Sequence, residues 1–369
     1  MSSRRRLAAT VIGITIAAAG VTALIWTGLD PPAAHGPAPE GLAPLPEERV
    51  FSLLAVGDTG DILPWRPFGE GQRSVARGMV SEDRRAPVDA LLLLGDNFYP
   101  DGLQRHELVK RIRRNLVMPF CHFASSSGPR WAEVADACSV PEDERNPVPI
   151  FAVPGNHDYN SPESPGLQRD EVPEFLANWN MDFKVSDGVG LADDLTLLRI
   201  DSEDVGIQGS ARSLRLGLDS ARGRFRIVAT HEPLSLRPGE SPAPGSYKGL
   251  VRRAIADAFR APQLILAGHD HNLQVVPIDL GRPALQVISG SGSSRRALKY
   301  PPYEGRAFGM PTTGFARIDL MGRDEEQGLL VSLFSMPRYP VHFWREPRLV
   351  SQWWIRRDGR AERRYPSKS

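Results

Sequence analysis

Five short apolar segments, each broken off by Gly, Asp, Asn or His, constrain this chain more than any other feature of it. Val50 to Val56 runs into Gly57-Asp58-Thr59-Gly60, Val88 to Leu94 into Gly95-Asp96-Asn97-Phe98-Tyr99, and Val148 to Val153 into Pro154-Gly155-Asn156-His157-Asp158. Phe225 to Ala229 leads to Thr230-His231, and Gln263 to Ala267 leads to Gly268-His269-Asp270-His271. Short runs rich in Val, Ile and Leu, bounded by turn formers, read as strands buried on both faces. In layered α/β folds ligands gather at the carboxyl ends of strands, and a glycine beside a ligating residue lets backbone and metal approach closely. The five blocks are therefore expected to converge on one site.

Further strands are expected at Leu195 to Ile200, Ala284 to Ile288, Gly314 to Leu320, Gly328 to Phe334 and Val350 to Ile355. Two stretches carry helical periodicity. Leu108, Val109, Ile112, Leu116 and Val117 share one face opposite Lys110, Arg111, Arg113 and Arg114, and Tyr247 to Phe259 is amphipathic. The basic face reads as solvated. With 45 Lys and Arg against 44 Asp and Glu the net charge is +1, which excludes nucleic-acid binding driven by overall charge.

The N-terminus speaks of location. Arg4, Arg5 and Arg6 precede an uncharged run of 23 residues, Leu7 to Leu29, closed by Asp30, with Trp26 suited to the far interface. That length matches the ~20 apolar residues of a membrane span and exceeds the h-region of a signal peptide, so residues 1–30 are expected to form a single-pass anchor. The alternative is a cleaved signal with Val21-Thr22-Ala23 as its processing site, giving a secreted or periplasmic protein. Either way the remainder is exported. Residues 31–48 hold the six prolines of a stiff spacer, residues 49–335 are expected to form the domain that carries the five blocks, and residues 336–369 a basic extension. That extension, with Trp353, Trp354 and Tyr365, reads as a final strand and a solvated tail rather than a lipid-binding segment.

Taken singly, a Gly-Asp after a strand is a turn and a lone His a core or surface residue. Their joint occurrence argues for metal. Four of the eight histidines, His157, His231, His269 and His271, fall in the blocks, whereas His35, His106, His122 and His342 lie outside and read as structural or surface residues. Asp, His, Asn and Tyr are hard or borderline ligands that suit Fe, Zn or Mn rather than copper thiolate chemistry.

The pattern resembles the metallophosphoesterase superfamily, which includes the calcineurin-like phosphoesterases, and within it the purple acid phosphatases of the small tartrate-resistant type. Asp58-Thr59-Gly60 replaces the more common Asp-x-His, and Tyr99 stands three residues after Asp96. The resemblance implies a four-layer α/β/β/α sandwich. It implies a binuclear metal centre with Fe(III) held by Asp58, Asp96, Tyr99 and His271, and a divalent Fe, Zn or Mn held by Asp96, Asn156, His231 and His269. It further implies hydrolysis of phosphomonoesters by metal-activated hydroxide. Asn97, Asn156 and His157 would then contact substrate, His157 would act as general acid, and Asp158 would orient or charge it. Plant-type relatives carry another histidine soon after the fourth block, and His231-Glu232-Pro233-Leu234-Ser235 has none, so the acid rests on His157 alone. The Gly290-Ser291-Gly292-Ser293-Ser294 segment is either a phosphate-approaching loop or a simple connection.

Two other readings remain open: a phosphodiesterase or nucleotide-pyrophosphate hydrolase on the same centre, and a membrane-tethered binding protein that keeps metals without turnover. The expected ligand is a phosphate-ester small molecule, and no obligate protein partner can be inferred. Cys121 and Cys138 are the only cysteines, and in an exported protein they either form one disulfide or remain two buried thiols.

Overall fold

The computed structural model describes residues 34–35, 44–60, 71–181, 188–204, 206–337 and 346–365. The N-terminal run with Trp26, most of the spacer and His342 lie outside them. Among the described residues no helix is long and apolar enough to cross a membrane.

Two eight-stranded sheets lie face to face with helices on their outer sides. The first sheet runs in the order Ala361–Tyr365, Arg348–Ile355, Gly328–Ser335, Gly314–Met321, Arg49–Val56, Ala90–Leu94, Ile150–Val153 and Trp179–Asn180. The second runs Ala34–His35, Phe308–Met310, Leu273–Asp279, Pro283–Ser289, Leu264–Ala267, Phe225–Ala229, Leu195–Arg199 and Val189–Ala192. Side-chain alternation along Arg49–Val56 explains the layers. Leu53 and Ala55 face the inter-sheet core with Leu92, Leu94, Ile227 and Leu266, while Leu54 and Val56 face the helix side with Val75, Met79, Leu116 and Phe120. A third core joins Val228 and Ile265 of the second sheet to Leu214, Leu218, Val251 and Ile255 of its covering helices, Ile207–Ser220 and Tyr247–Ala256. This is the α/β/β/α sandwich.

Arg49–Val56, Ala90–Leu94 and Ile150–Val153 are parallel, as are Leu195–Arg199, Phe225–Ala229 and Leu264–Ala267. Five of these six strands end in the five polar blocks, so both sheets deliver those blocks to one end of the sandwich. The expected helix at Leu108 to Val117 forms, interrupted by a wider π turn at Arg113–Val117. Two long helices lacked a clear sequence signal. Gly71–Arg85 is broken in pattern by Gly78, where a Cβ would stand 2.3 Å from Met336 Sδ and 3.1 Å from the Phe315 ring, so the helix passes close to both side chains.

The strand expected within the basic extension forms, and a second strand follows it where a solvated tail was expected. Arg348–Ile355 pairs with Gly328–Ser335 and then with Ala361–Tyr365, so these strands belong to the first sheet. Trp353 and Trp354 are buried, and the apolar content of this segment completes a core. The two cysteines are bonded, with Cα atoms 5.5 Å apart across a sequence separation of 17.

Candidate metal centre

Each block turns sharply as it leaves its strand, and the turns bring the side chains together. Asp58, Asp96, His269 and His271 have φ of 57°, 54°, 69° and 45°, four of the five left-handed non-glycine residues among those described. Such conformations cost on the order of 1–3 kcal/mol each and persist only where the surroundings over-determine them. Two glycines make the turns fit. A Cβ at Gly155 would lie 2.4 Å from the Asp96 carboxylate, and one at Gly95, whose φ is +88°, would lie 2.5 Å from His231 Nδ1.

Seven side chains fall into two nests that share Asp96. In one, the Tyr99 hydroxyl is 3.0 Å from Asp58 Oδ1, 2.5 Å from Asp96 Oδ2 and 2.9 Å from His271 Nε2, with His271 Nε2 3.1 Å from Asp58 Oδ1. In the other, Asn156 Oδ1 is 3.2 Å from His231 Nε2 and 3.1 Å from His269 Nδ1, and the two imidazoles are 3.3 Å apart. Asp96 Oδ1 reaches toward this nest, 3.5 Å from His231 Nε2. Asp58, Asp96 and His231 offer ligand atoms all within 4.8 Å of one another.

Groups behind the ring aim these atoms inward. His231 Nδ1 donates to the Leu94 carbonyl at 2.8 Å, and because a carbonyl only accepts, the proton sits on Nδ1 and the Nε2 lone pair faces the site. His271 Nδ1 is 2.7 Å from Ser294 Oγ, which orients Nε2 in the same way. Ser294 was not singled out by sequence, where its segment reads either as a phosphate-approaching loop or as a simple connection. Close approach was its only signal, since a Cβ at Gly290 would lie 2.7 Å from Asp58 Oδ2.

The electrostatics call for cations. Burial and then the charges of Asp58 and Asp96 push the Tyr99 phenol far above its ordinary range. Burial disfavours the charged forms of both Asp58 and His231, yet the imidazoles hold the Asp58 carboxyl below its usual value, and Asp96 and Asp58 raise His231. Burial and the neighbouring His231 lower His269. Carboxylates, a phenol, an amide oxygen and three imidazoles converging in a dry pocket fit hard or borderline cations.

Two expectations are corrected. Asp158 does not touch His157: its buried carboxylate accepts from the backbone N–H of Asn97, Phe98 and Gly155 and from Gln168 Nε2, at 2.9 to 3.1 Å, and so ties two ligand loops together. Burial, with Asp96 nearby, pushes it up to about 7. Asn97 is fully buried and spends its amide donors on the Val153 carbonyl at 3.0 Å and Gln168 Oε1 at 3.1 Å, so these donors are engaged within the protein. His157 does border the centre. Its ring lies over Tyr99 with centroids 4.2 Å apart, its backbone N–H donates to Asp96 Oδ1, and its Nδ1 donates to the Pro100 carbonyl at 2.8 Å.

A family model described as calcineurin-like phosphoesterase matches residues 51–273, from the strand before Asp58 to just beyond His271. The chain belongs to that family. Calcineurin-like phosphoesterases work with a pair of metal ions, and Asp58, Asp96 and His231 form a candidate metal site here. Tartrate-resistant acid phosphatase type 5 of Sus scrofa is 25% identical over 315 residues, 76% of this chain and 83% of that protein. Among solved structures, GAP50, described as the anchor in the inner membrane complex of Plasmodium, aligns over 78% of this chain and 85% of its own with TM-score 0.53 and 17% identity. PhoD aligns over 88% of this chain and 74% of its own with TM-score 0.54 and 11% identity. Both share the calcineurin-like phosphoesterase fold.

Proposed function

We propose that this protein hydrolyses phosphomonoesters at a two-metal centre in the manner of a purple acid phosphatase. One ion would be Fe(III) held by Asp58, Asp96, Tyr99 and His271, the other a divalent Fe, Zn or Mn held by Asp96, Asn156, His231 and His269. The observation that carries the reading is the division of seven donors into two nests joined by Asp96, with a tyrosine in one of them. Bound ions supply charge for phosphoryl oxygens and lower the pKa of water toward neutrality.

The chain's own residues do the rest. Asn156 places its amide oxygen beside the inward-facing nitrogens of His231 and His269, where the three would act as ligands of one ion. His157, fixed through Nδ1 on Pro100 and packed against Tyr99 with the rings tilted by 42°, keeps Nε2 for a transferable proton, and that nitrogen serves the departing alkoxide. Asn160 Nδ2 also donates to the Pro100 carbonyl at 2.8 Å and steadies the anchor of the ring.

Export is part of the proposal, with the N-terminal run as anchor. The Cys121–Cys138 bond supports it, because structural disulfides persist in oxidising compartments. Hydrolysis of p-nitrophenyl phosphate against bis-p-nitrophenyl phosphate by the full chain tests the reaction. Preference for the monoester supports the proposal; preference for the diester replaces it with a phosphodiesterase, and no metal-dependent turnover of either favours a binding protein.

A further inference from the structure

At the end of the sandwich remote from the metal centre, arginines gather on backbone carbonyls. Arg226 is the second residue of the strand Phe225–Ala229, whose far end delivers His231, about 17 Å away at ~3.3 Å per residue. Its side chain is buried, with Nε donating to the Ala261 carbonyl at 3.0 Å and Nη1 to that of Gly223 at 2.8 Å. Arg260 donates to the Ala221 carbonyl at 2.6 Å, and Arg282 to the Phe259 carbonyl at 2.5 Å. Gln263 accepts from the Arg226 backbone N–H and donates to the Arg357 carbonyl, so it links the turn bearing Arg357 to the same cluster.

The charged groups acting on Arg226 are Arg260, Arg357 and Arg282, and with burial they hold it down to about 10. A buried guanidinium surrounded by other guanidinium groups is poorly compensated, and of the five N–H donors of Arg226 backbone carbonyls take two. Two acids border the cluster: Asp219 accepts from the Phe259 backbone N–H at 2.6 Å, and Glu325 pairs with Arg357 at 4.0 Å with both side chains exposed. At the crest of the cluster Phe259 is 76% exposed, the most exposed phenylalanine among the described residues.

We infer that this face docks on anionic lipid, with Phe259 entering the headgroup region and Arg260, Arg282 and Arg357 meeting the phosphates. Guanidinium groups match phosphate oxygens in bidentate geometry, and an aromatic ring beside cations is the composition of an interfacial contact. A soluble polyanion would use the arginines and leave the phenylalanine in water. Because the metal centre opens at the opposite end, docking leaves it facing away from the bilayer. The inference is independent of the N-terminal run.

The test uses the full chain with a single added cysteine carrying an environment-sensitive fluorophore, at Phe259→Cys or, as a control near the metal end, Tyr300→Cys, where the side chain is 93% exposed. Vesicles of phosphatidylcholine with phosphatidylglycerol are compared with phosphatidylcholine alone. The expected result is a blue shift at position 259 with anionic vesicles only, absent at position 300, and lost at high salt as screening grows. R260E/R282E, both at exposed side chains, should abolish the shift and leave p-nitrophenyl phosphate turnover unchanged. Equal shifts in both vesicle types, equal shifts at both positions, or no shift at position 259 would overturn the inference. Failure of the anchor would show separately, as a chain that does not float with neutral vesicles.

Discussion

Asp96 touches both halves of the centre: its Oδ2 lies 2.5 Å from the Tyr99 hydroxyl while its Oδ1 faces His231 Nε2 at 3.5 Å. A bridging ligand cannot be lost from one half alone. Asp96→Asn should therefore release both metals, which metal analysis of the purified variant would show as a loss from two ions per chain. Turnover should fall at least ~10³-fold, as for removal of a main electrostatic element. Retention of one full equivalent would mean the nests are independent.

His157 stands apart from the ligands, and its removal should separate chemistry from metal binding. His157→Ala should keep both ions, lose ~10²-fold or more on an alkyl phosphate and lose far less on p-nitrophenyl phosphate, whose leaving group needs no proton. Asp158→Asn should instead loosen the loops, because its oxygens tie Asn97, Phe98 and Gly155 together. A lower melting temperature with an unchanged leaving-group dependence would distinguish the two roles.

Ser294 holds His271 from behind at 2.7 Å. Loss of an outer partner of this kind weakens metal affinity by ~10–100-fold. Competition of Ser294→Ala with a chelator should show that loss in the Tyr99 nest, with the His231 nest unaffected.

Asp201 supplies a pH signature. Burial raises its carboxyl to about 6, with Asp204 and Glu203 adding to the shift and the Tyr159 hydroxyl and Glu203 N–H opposing it. Its folded pKa lies above the unfolded value, so its contribution is full below about pH 4 and fades as pH rises through about 6. Urea unfolding at pH 4.5 and pH 7 should show a smaller decline with pH in Asp201→Asn than in the parent.

Breaking the Cys121–Cys138 bond should cost ~3 kcal/mol on the chain-entropy account of a loop this size. Cys138→Ser should melt several degrees lower and keep its metal content, because the bond lies against the helix core, away from the seven donors.

Much of this was legible because the strands buried on both faces are continuous apolar runs. Phe225–Ala229 agrees to the residue, and the five polar blocks at strand ends converge as their spacing implies. What escaped was set by tertiary contact. Gly78 hid a helix that packs closely on Met336, far away in sequence. In the charge-rich tail the apolar run of Arg348–Ile355 was legible as a strand, whereas Ala361–Tyr365 was hidden by its charged residues, of which Arg363 is buried. Adjacency in sequence also misled: Asp158 follows His157, yet its turn points the carboxylate at backbone N–H groups.

The central claim is that Tyr99 and its neighbours hold iron beside a second metal ion. The most direct test is metal analysis with a visible spectrum of the purified full chain, followed by phosphate-ester turnover on the same sample. The account predicts two ions per chain, iron among them, a visible tyrosinate band that Tyr99→Phe abolishes, and turnover that chelation removes. A colourless chain without iron, or turnover that survives complete removal of metal, would contradict it.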